Sequence, residues 1–490
     1  MRLSRPHMAR VFALLALCTG IGIGNSFGIV APASATTCDS SPSTFVDLQS
    51  AFAAATNAGT TICLGATIIG PTNDVVTGGN LTIPAAANVT LDLSGFDLSV
   101  TAIKTPTTLA NWALAGITVP SDSTFQIDAT GGGSLTVTGA TNGITGGAGI
   151  GGDSNSYAQS NQIPTTGNIT INGGVINAQG GNWSAAIGGG SHRKAGNITI
   201  NGGTVTATAG SGGSAIGGGW SRSGGVVTIN GGTIVATAGG SGTAAIGGGW
   251  SGQKVKSFIM TGGSLTTLPS PGSYGMIVGG SGEGTFDMSG GTLDVVGSPA
   301  IYFIGATNTL SGGTVTATAI LSNSNALWIG YPVASTLNVT GGSLTATSFG
   351  TTSAAIRSWN SSSSVLVPSS GGTVLNAGSG FGSGAGAAYP IGASLVGSYG
   401  SFSMAGTVDA TATSPAQVII QFGVSSPSSG SSLSLAPSSS LGSTGGTTVS
   451  GSTHASTPEV LAATGNNVPF GVIGLLFGLG TLCIFVARRS

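Results

Sequence analysis

The chain has 490 residues, twelve Lys or Arg against thirteen Asp or Glu, and a formal charge of −1. Charged residues make up 5% of it and Gly 89 positions, where a soluble domain is about 25% charged and about 7% Gly. So few Lys and Arg exclude a nucleic-acid-binding face, which must neutralise phosphates, and scarce Glu and Lys exclude long surface helices and coiled coils. The composition points to a secreted Gly-, Ser- and Thr-rich β protein with room for a large core.

At the N-terminus Arg2, Arg5 and Arg10 precede an apolar run over 11–30 and the small-residue pattern Ala33-Ser34-Ala35. This predicts a signal peptide over residues 1–35, with the mature chain starting near Thr36. Cys18 opens the alternative of a lipoprotein signal, against which stands the bulky Leu17 before it. Cys18 and Cys483 fall in removed or membrane segments, which leaves Cys38 and Cys63 to form one disulfide in an oxidising exterior. In the chain-entropy model such a bridge contributes about 3–4 kcal/mol.

Residues 44–56 place Phe45, Leu48, Phe52 and Ala55 on one helical face, and Gly59 is the expected stop. A solenoid needs its terminal edge covered, so this helix is the expected N-terminal cap, pinned by Cys38–Cys63. Strand-like pieces follow at 61–64, 81–83 and 89–93. The stretches Asn80-Leu81-Thr82-Ile83-Pro84 and Asn88-Val89-Thr90-Leu91-Asp92 resemble the first coils of right-handed β-helix proteins of the pectin-lyase-like superfamily. That resemblance is one of architecture, and no catalytic motif of the superfamily accompanies it.

From about 130 to 400 one unit recurs. Asn172, Asn201, Asn230, Thr261, Ser289, Ser311, Thr340 and Ser370 each precede a Gly-Gly pair, most of them 28–31 residues apart. A second column runs Ile150, Ile187, Ile216, Ile246, Ile277, Ile304, Ile329 and Ile356. A period of this length means a solenoid, propeller or array. Three short strand-like pieces per unit, such as 197–200, 204–208 and 214–216, are too few for a propeller blade and suit a three-faced parallel β-helix. Alternation sends Ile198, Ile200, Val205, Ala207 and Ile216 inward. Eight or nine such coils at ~4.8 Å each form a rod of roughly 40 Å.

The loop after each Ile corner carries most of the basic residues and several aromatics: Tyr157, His192, Arg193, Lys194, Trp220, Arg222, Trp250, Lys254, Lys256, Tyr331, Arg357 and Trp359. Equivalent positions of a solenoid stack, so a ridge is expected with Trp220 and Trp250 about one coil apart. Trp220, Trp250, Arg193, Arg222, Tyr331, Arg357 and Trp359 are its candidate glycan-binding residues, since aromatic faces stack on sugar rings and Arg binds hydroxyls or carboxylates. The plainer alternative is that the aromatics pack on one another and the charges serve solubility.

No catalytic, cofactor or metal site is expected. The acidic positions Asp128, Asp153, Glu283, Asp287, Asp294 and Asp409 lack the pairing that glycoside hydrolysis uses, and Asp287 and Asp294 should lie on different faces. A polysaccharide lyase or hydrolase is the competing reading, on fold analogy alone. A Thr-rich face, including Thr204, Thr206, Thr208, Thr314, Thr316 and Thr318, resembles ice-binding β-solenoids, but Val235 and Asp294 interrupt it and Thr is a favourable outward strand residue.

A last strand-like run at 417–424 is expected to close the rod. Residues 425–460, rich in Ser, Gly, Pro and Thr, bury too little to fold and form the expected flexible stalk. Leu461-Ala462-Ala463-Thr464-Gly465 then precedes an apolar segment at 468–486 and the basic pair Arg488 and Arg489. This resembles the sorting signal of sortase-anchored surface proteins of Gram-positive bacteria, in its L-A-x-T-G variant. The resemblance implies cleavage between Thr464 and Gly465, linkage to peptidoglycan, and a transmembrane helix at 468–486. An ordinary C-terminal membrane anchor is the alternative.

The expected organisation is therefore a signal peptide (1–35), a cap with the first coils (36–130), coils of about 29 residues (131–424), a stalk (425–460) and a sorting signal (461–490). The fold is an all-β, right-handed parallel β-helix. The expected function is structural or adhesive at the cell wall, with sortase, peptidoglycan and a polysaccharide as partners, no nucleic acid, and membrane contact through the C-terminal segment alone.

Overall fold

The computed structural model describes residues 37–72, 79–103, 113–143, 145–155, 165–250, 254–279, 284–305, 307–321, 324–330, 333–348, 355–358 and 363–367, and, as backbone, the strands between 372 and 422. The signal peptide, the stalk and the sorting signal lie outside the described residues, as do Tyr157, Glu283, Tyr331 and Trp359. Among the described residues no helix is long and apolar enough to cross a membrane.

The chain enters through the helix α1, Phe45–Ala53. Thr44 is its N-cap: extended backbone (φ −125°) lets Oγ1 accept the Asp47 N–H at 3.2 Å, and Asp47 puts a carboxylate in the first turn, where the helix dipole favours it. Phe45, Leu48 and Phe52 are buried, and the Phe52 ring lies 6.1 Å from that of Phe125. The helix stops at Ala53, short of the expected 56. Beyond it Ala55 N–H donates to Phe52 O at 3.1 Å instead of continuing the i−4 ladder, and the Thr56 and Asn57 carbonyls accept the backbone and side-chain N–H groups of Asn88. Gly59, at φ +100°, turns the chain only later. A disulfide joins Cys38 to Cys63, Cα atoms 5.7 Å apart, and ties the segment before the helix to the first strand, Thr60–Cys63.

After the cap the chain winds as a parallel β-helix. A representative coil contributes Ile198–Ile200, Thr204–Thr208 and Ile216–Gly217. Each pairs in parallel with its equivalent one coil on: Ile198 with Val227, Val205 with Ile234, Ile216 with Ile246. The middle strands form a 13-stranded sheet. The first and third strands form two ladders that the Val255–Val278 pairing joins. Period-2 alternation fills the interior with Ile198, Ile200, Val205, Ala207 and Ile216, all buried, each large aliphatic side chain adding about 1.5–3 kcal/mol.

The Asn-Gly-Gly repeat has a local cause. Asn230 donates its Nδ2–H to Asn201 Oδ1 at 2.8 Å, Asn201 to Asn172 at 2.7 Å, and Asn172 to the Asp128 carboxylate at 2.6 Å. Thr261 Oγ1 extends this amide ladder by one coil, donating to Asn230 at 2.8 Å. Asn168 and Asn197 accept the backbone N–H groups of Asn197 and Val226, one coil onward.

Two expectations need correction. The stacked column does not continue from Ile246 to Ile277. Ile246 pairs with Met276, then Met276 with Ile301, Ile301 with Leu327, and Leu327 with Ile356. Tyr274 N–H donating to Thr243 O at 2.7 Å sets that register. A one-residue slip reverses the face, so Ile277 points away from the interior and pairs with Tyr302. Second, Ala416–Phe422 does not close the far end. It lies antiparallel between Ser343–Ser348 and Gly372–Ala377, inside the sheet rather than at its edge.

Candidate functional site

Two turns per coil build the site. In the first, Ser184 N–H donates to Gly181 O at 3.0 Å, and Gly213 N–H donates to Gly210 O at 2.9 Å one coil later. The residue before each donor has positive φ, Trp183 at 61° and Gly212 at 77°, as does Gly242 at 73° in the third such turn, where Thr243 N–H donates to Gly240 O at 3.3 Å. In the second, Arg193 N–H donates to Gly190 O at 2.9 Å and Arg222 N–H to Gly219 O at 3.0 Å. Here His192 (φ 62°) and Ser221 (φ 51°) hold the left-handed position, one that type II turns usually give to Gly or Asn. The two turns lie side by side, since Trp220 N–H donates to Trp183 O at 2.8 Å and Trp250 N–H to Gly212 O at 2.9 Å.

That arrangement stacks three indoles. Trp183 and Trp220 have ring centroids 4.0 Å apart and planes 26° apart; Trp220 and Trp250 are 4.7 Å and 12° apart. Trp220 and Trp250 thus lie one coil apart. Trp183 was not expected in the column, because its place in the repeat is Gly212 in the next coil. The available signal was a lone Trp at a turn position that otherwise holds Gly. Gly212 is needed beneath the stack: a Cβ there would come within 2.8 Å of Trp183 Cδ1 and 3.1 Å of Trp220 Cε3. Trp250 ends the described stack and is 48% exposed.

Polar groups flank the indoles. His192 is buried, lies edge-on to Trp183 at 6.1 Å, and has Nδ1 2.9 Å from Ser191 Oγ. Burial, and then the positive Arg222, hold its pKa below the ordinary 6.5, so it is neutral at pH 7. Arg193 and Arg222, one coil apart at the same turn position, are partly exposed. Arg193 leans over Gly152, where a Cβ would sit 3.0 Å from its Cδ, and its charge acts on Asp153. Asp153 accepts from the Ala115 N–H and the Thr118 hydroxyl, both at 2.7 Å. Burial nevertheless raises its pKa above 3.8. Lys194 and Lys254 belong to a neighbouring column: Ala195 N–H donates to Ser223 O and Gly224 N–H to Lys254 O, which spaces the two lysines two coils apart around Ser223.

Arg357 does not join this strip. It lies within Ile356–Ser358, in register with Trp328, and Trp328 is in register with Tyr302. Tyr274, Tyr302 and Trp328 form a second aromatic row, with centroids 6.4 Å and 5.4 Å apart, on the outward side where Ile277 also lies. The expected single ridge is thus two clusters among the described residues, one on turns and one on strands. They separate because Arg357 directly follows Ile356 inside a strand, whereas Arg193 and Arg222 lie beyond the strands Ile187–Gly188 and Ile216–Gly217, in a turn.

Carboxylates elsewhere act within the framework. Asp92 and Asp128 are register neighbours; Asp92 accepts the Ser94 and Thr130 N–H groups, and Asp128 accepts from Gln126 and Asn172. Asp287 and Asp294 belong to different sheets. Among the described residues no group of three or more His, Cys, Asp or Glu is placed to hold a metal ion. No protein-family model matches the chain, and neither a curated protein nor a solved structure matches it significantly.

Proposed function

We propose that this chain is a cell-wall-anchored bacterial surface protein, structural and adhesive, whose β-helix presents a carbohydrate-binding strip. The observation that carries the reading is the Trp183–Trp220–Trp250 stack, ending in a half-exposed indole whose backbone carbonyl accepts the hydroxyl of Ser221, the residue before Arg222. An exposed indole face offers apolar area to the C–H face of a sugar, and a nearby guanidinium bonds its hydroxyls. The use of Asp92, Asp128 and Asp153 as internal acceptors favours binding over catalysis. Anchoring rests on the sequence: Leu461, Ala462, Ala463, Thr464 and Gly465 before an apolar segment at 468–486 and two arginines. In this reading the coils are right-handed, 425–460 is a flexible stalk, 468–486 crosses the membrane before sortase cleavage, and peptidoglycan receives Thr464.

Display of the full chain on a Gram-positive host tests both halves. Thr464→Ala should move the chain from the peptidoglycan-linked fraction to the membrane fraction. Trp250→Ala should weaken capture of fluorescent polysaccharides about tenfold, as expected from losing one aromatic stacking contact. Unchanged fractionation would overturn the anchor, and failure to capture any polysaccharide would overturn the adhesive role.

A further inference from the structure

The few charges of this chain are unevenly distributed. Residues 154–282 contain five Lys or Arg and no Asp or Glu, a formal charge of +5, while the remainder carries seven cations and thirteen carboxylates, a charge of −6. The five are Arg193, Lys194, Arg222, Lys254 and Lys256, within the same coils that hold the indole stack. Four of them fall into two adjacent columns. Arg193 and Arg222 share one turn position in consecutive coils, and Lys194 and Lys254 share the neighbouring column. Asp153 partly offsets Arg193, but no carboxylate occurs in the sequence between it and Glu283.

Solubility alone would be served by interspersed charges of both signs. Here one sign is gathered beside aromatic faces. Coils ~4.8 Å apart bring cations of consecutive coils, Arg193 and Arg222 among them, within one Debye length, ~8 Å at physiological salt, while Lys194 and Lys254, two coils apart, lie near that limit. Their potentials therefore add. A neutral glycan stacking on Trp250 leaves that potential uncompensated, whereas a chain with one negative charge per ring relieves it at each coil.

We propose that the strip takes an acidic polysaccharide, one whose sugars carry carboxylates as uronic acids do. The ring faces lie along the indole end at Trp250, and the carboxylates meet Arg193, Arg222, Lys194 and Lys254. The proposal rests on the glycan-binding reading above and names the class of glycan.

The test compares alginate with carboxyl-reduced alginate, the same backbone without its charges, on cells displaying the full chain and on matched cells lacking it. Alginate should bind at least about tenfold more tightly than the reduced polymer. Raising salt from about 50 to about 300 mM should weaken it about tenfold or more. Arg222→Gln combined with Lys194→Gln should remove most of the preference for alginate while the displayed amount of chain stays constant. Trp250→Ala should weaken both polymers. Equal binding of the two polymers would overturn the acidic class and leave glycan binding standing. Absence of binding to either, or to any neutral glycan, would overturn both readings. Alginate binding that survives the double Gln variant, or that ignores Trp250→Ala, would place the site elsewhere and overturn the assignment.

Discussion

Asp153 shows how a single residue can weigh against the fold it belongs to. Its carboxyl is pushed above the ordinary 3.8 chiefly by burial; the Ala115 N–H, the Thr118 hydroxyl and the Arg193 charge all pull it down without cancelling that effect. The folded chain therefore holds this proton more tightly than the unfolded chain. The stability this contributes is fully present below about pH 3.8 and is lost as pH rises through the raised folded value. Asp153→Asn keeps an accepting oxygen and removes the titration. Measured by urea denaturation, the variant should gain stability relative to wild type between about pH 3 and pH 7. Parallel pH profiles for the two chains would show that Asp153 is solvated as an ordinary carboxylate. The residue was visible in the sequence as an acid near a basic loop, but its hydrogen bonds to Ala115 and Thr118 join positions 38 and 35 residues away. No local pattern marks such partners.

Among elements, the Gly-rich corners decide how closely the coils can stack. Gly217 ends one strand of the Ile column at φ +136°, and a Cβ there would sit 1.9 Å from Gly247 O in the next coil. Gly132 also has positive φ, 94°, but nothing lies within 4 Å of its would-be Cβ. Comparing the two separates backbone strain from collision. Gly132→Ala should cost about 1–2 kcal/mol, the ordinary penalty for an L-residue there. Gly217→Ala adds the collision with the facing carbonyl and should cost about 3 kcal/mol or more. Equal losses in denaturation midpoint would mean that the coils can separate at little cost. The corner glycines, the strand triplets and the inward aliphatics were all legible, because each depends on the near-constant repeat. Trp183 was not, because its membership of the indole stack comes from two turns held together by the Trp220-to-Trp183 backbone hydrogen bond.

At the scale of the molecule, a solenoid is held together by neighbour-to-neighbour contacts, so a disturbance at one end should be felt mainly there. The Cys38–Cys63 bridge, with 25 residues of separation, ties the cap to the first strand. Cys38→Ser with Cys63→Ser should lower stability by about 3–4 kcal/mol in the chain-entropy model. Hydrogen exchange should rise first at Asn88–Asp92 and Asp97–Thr101, while Thr233–Thr237, several coils away, stays protected. Uniform acceleration along the rod would mean that all coils unfold as one cooperative unit. The far end is built differently: Ala416–Phe422 returns antiparallel between strands that the chain laid down earlier, so that part of the sheet depends on a segment about 70 residues on from Ser348.

Taken alone, the sequence determined the coil, its three strands, its interior aliphatics, the capping helix and the cysteine pair, since each follows from periodicity or a short local pattern. The tertiary structure decided which face Ile277 takes, that Trp183 joins Trp220 and Trp250, that Arg357 belongs to a second aromatic row, and that a late strand inserts antiparallel. Each depends on hydrogen bonds between segments that no local pattern marks, and Ile277 shows it most directly. A repeat length says which residues lie about one coil apart, but the register that fixes a side chain's face is set by hydrogen bonds between coils, and a slip of a single residue reverses it.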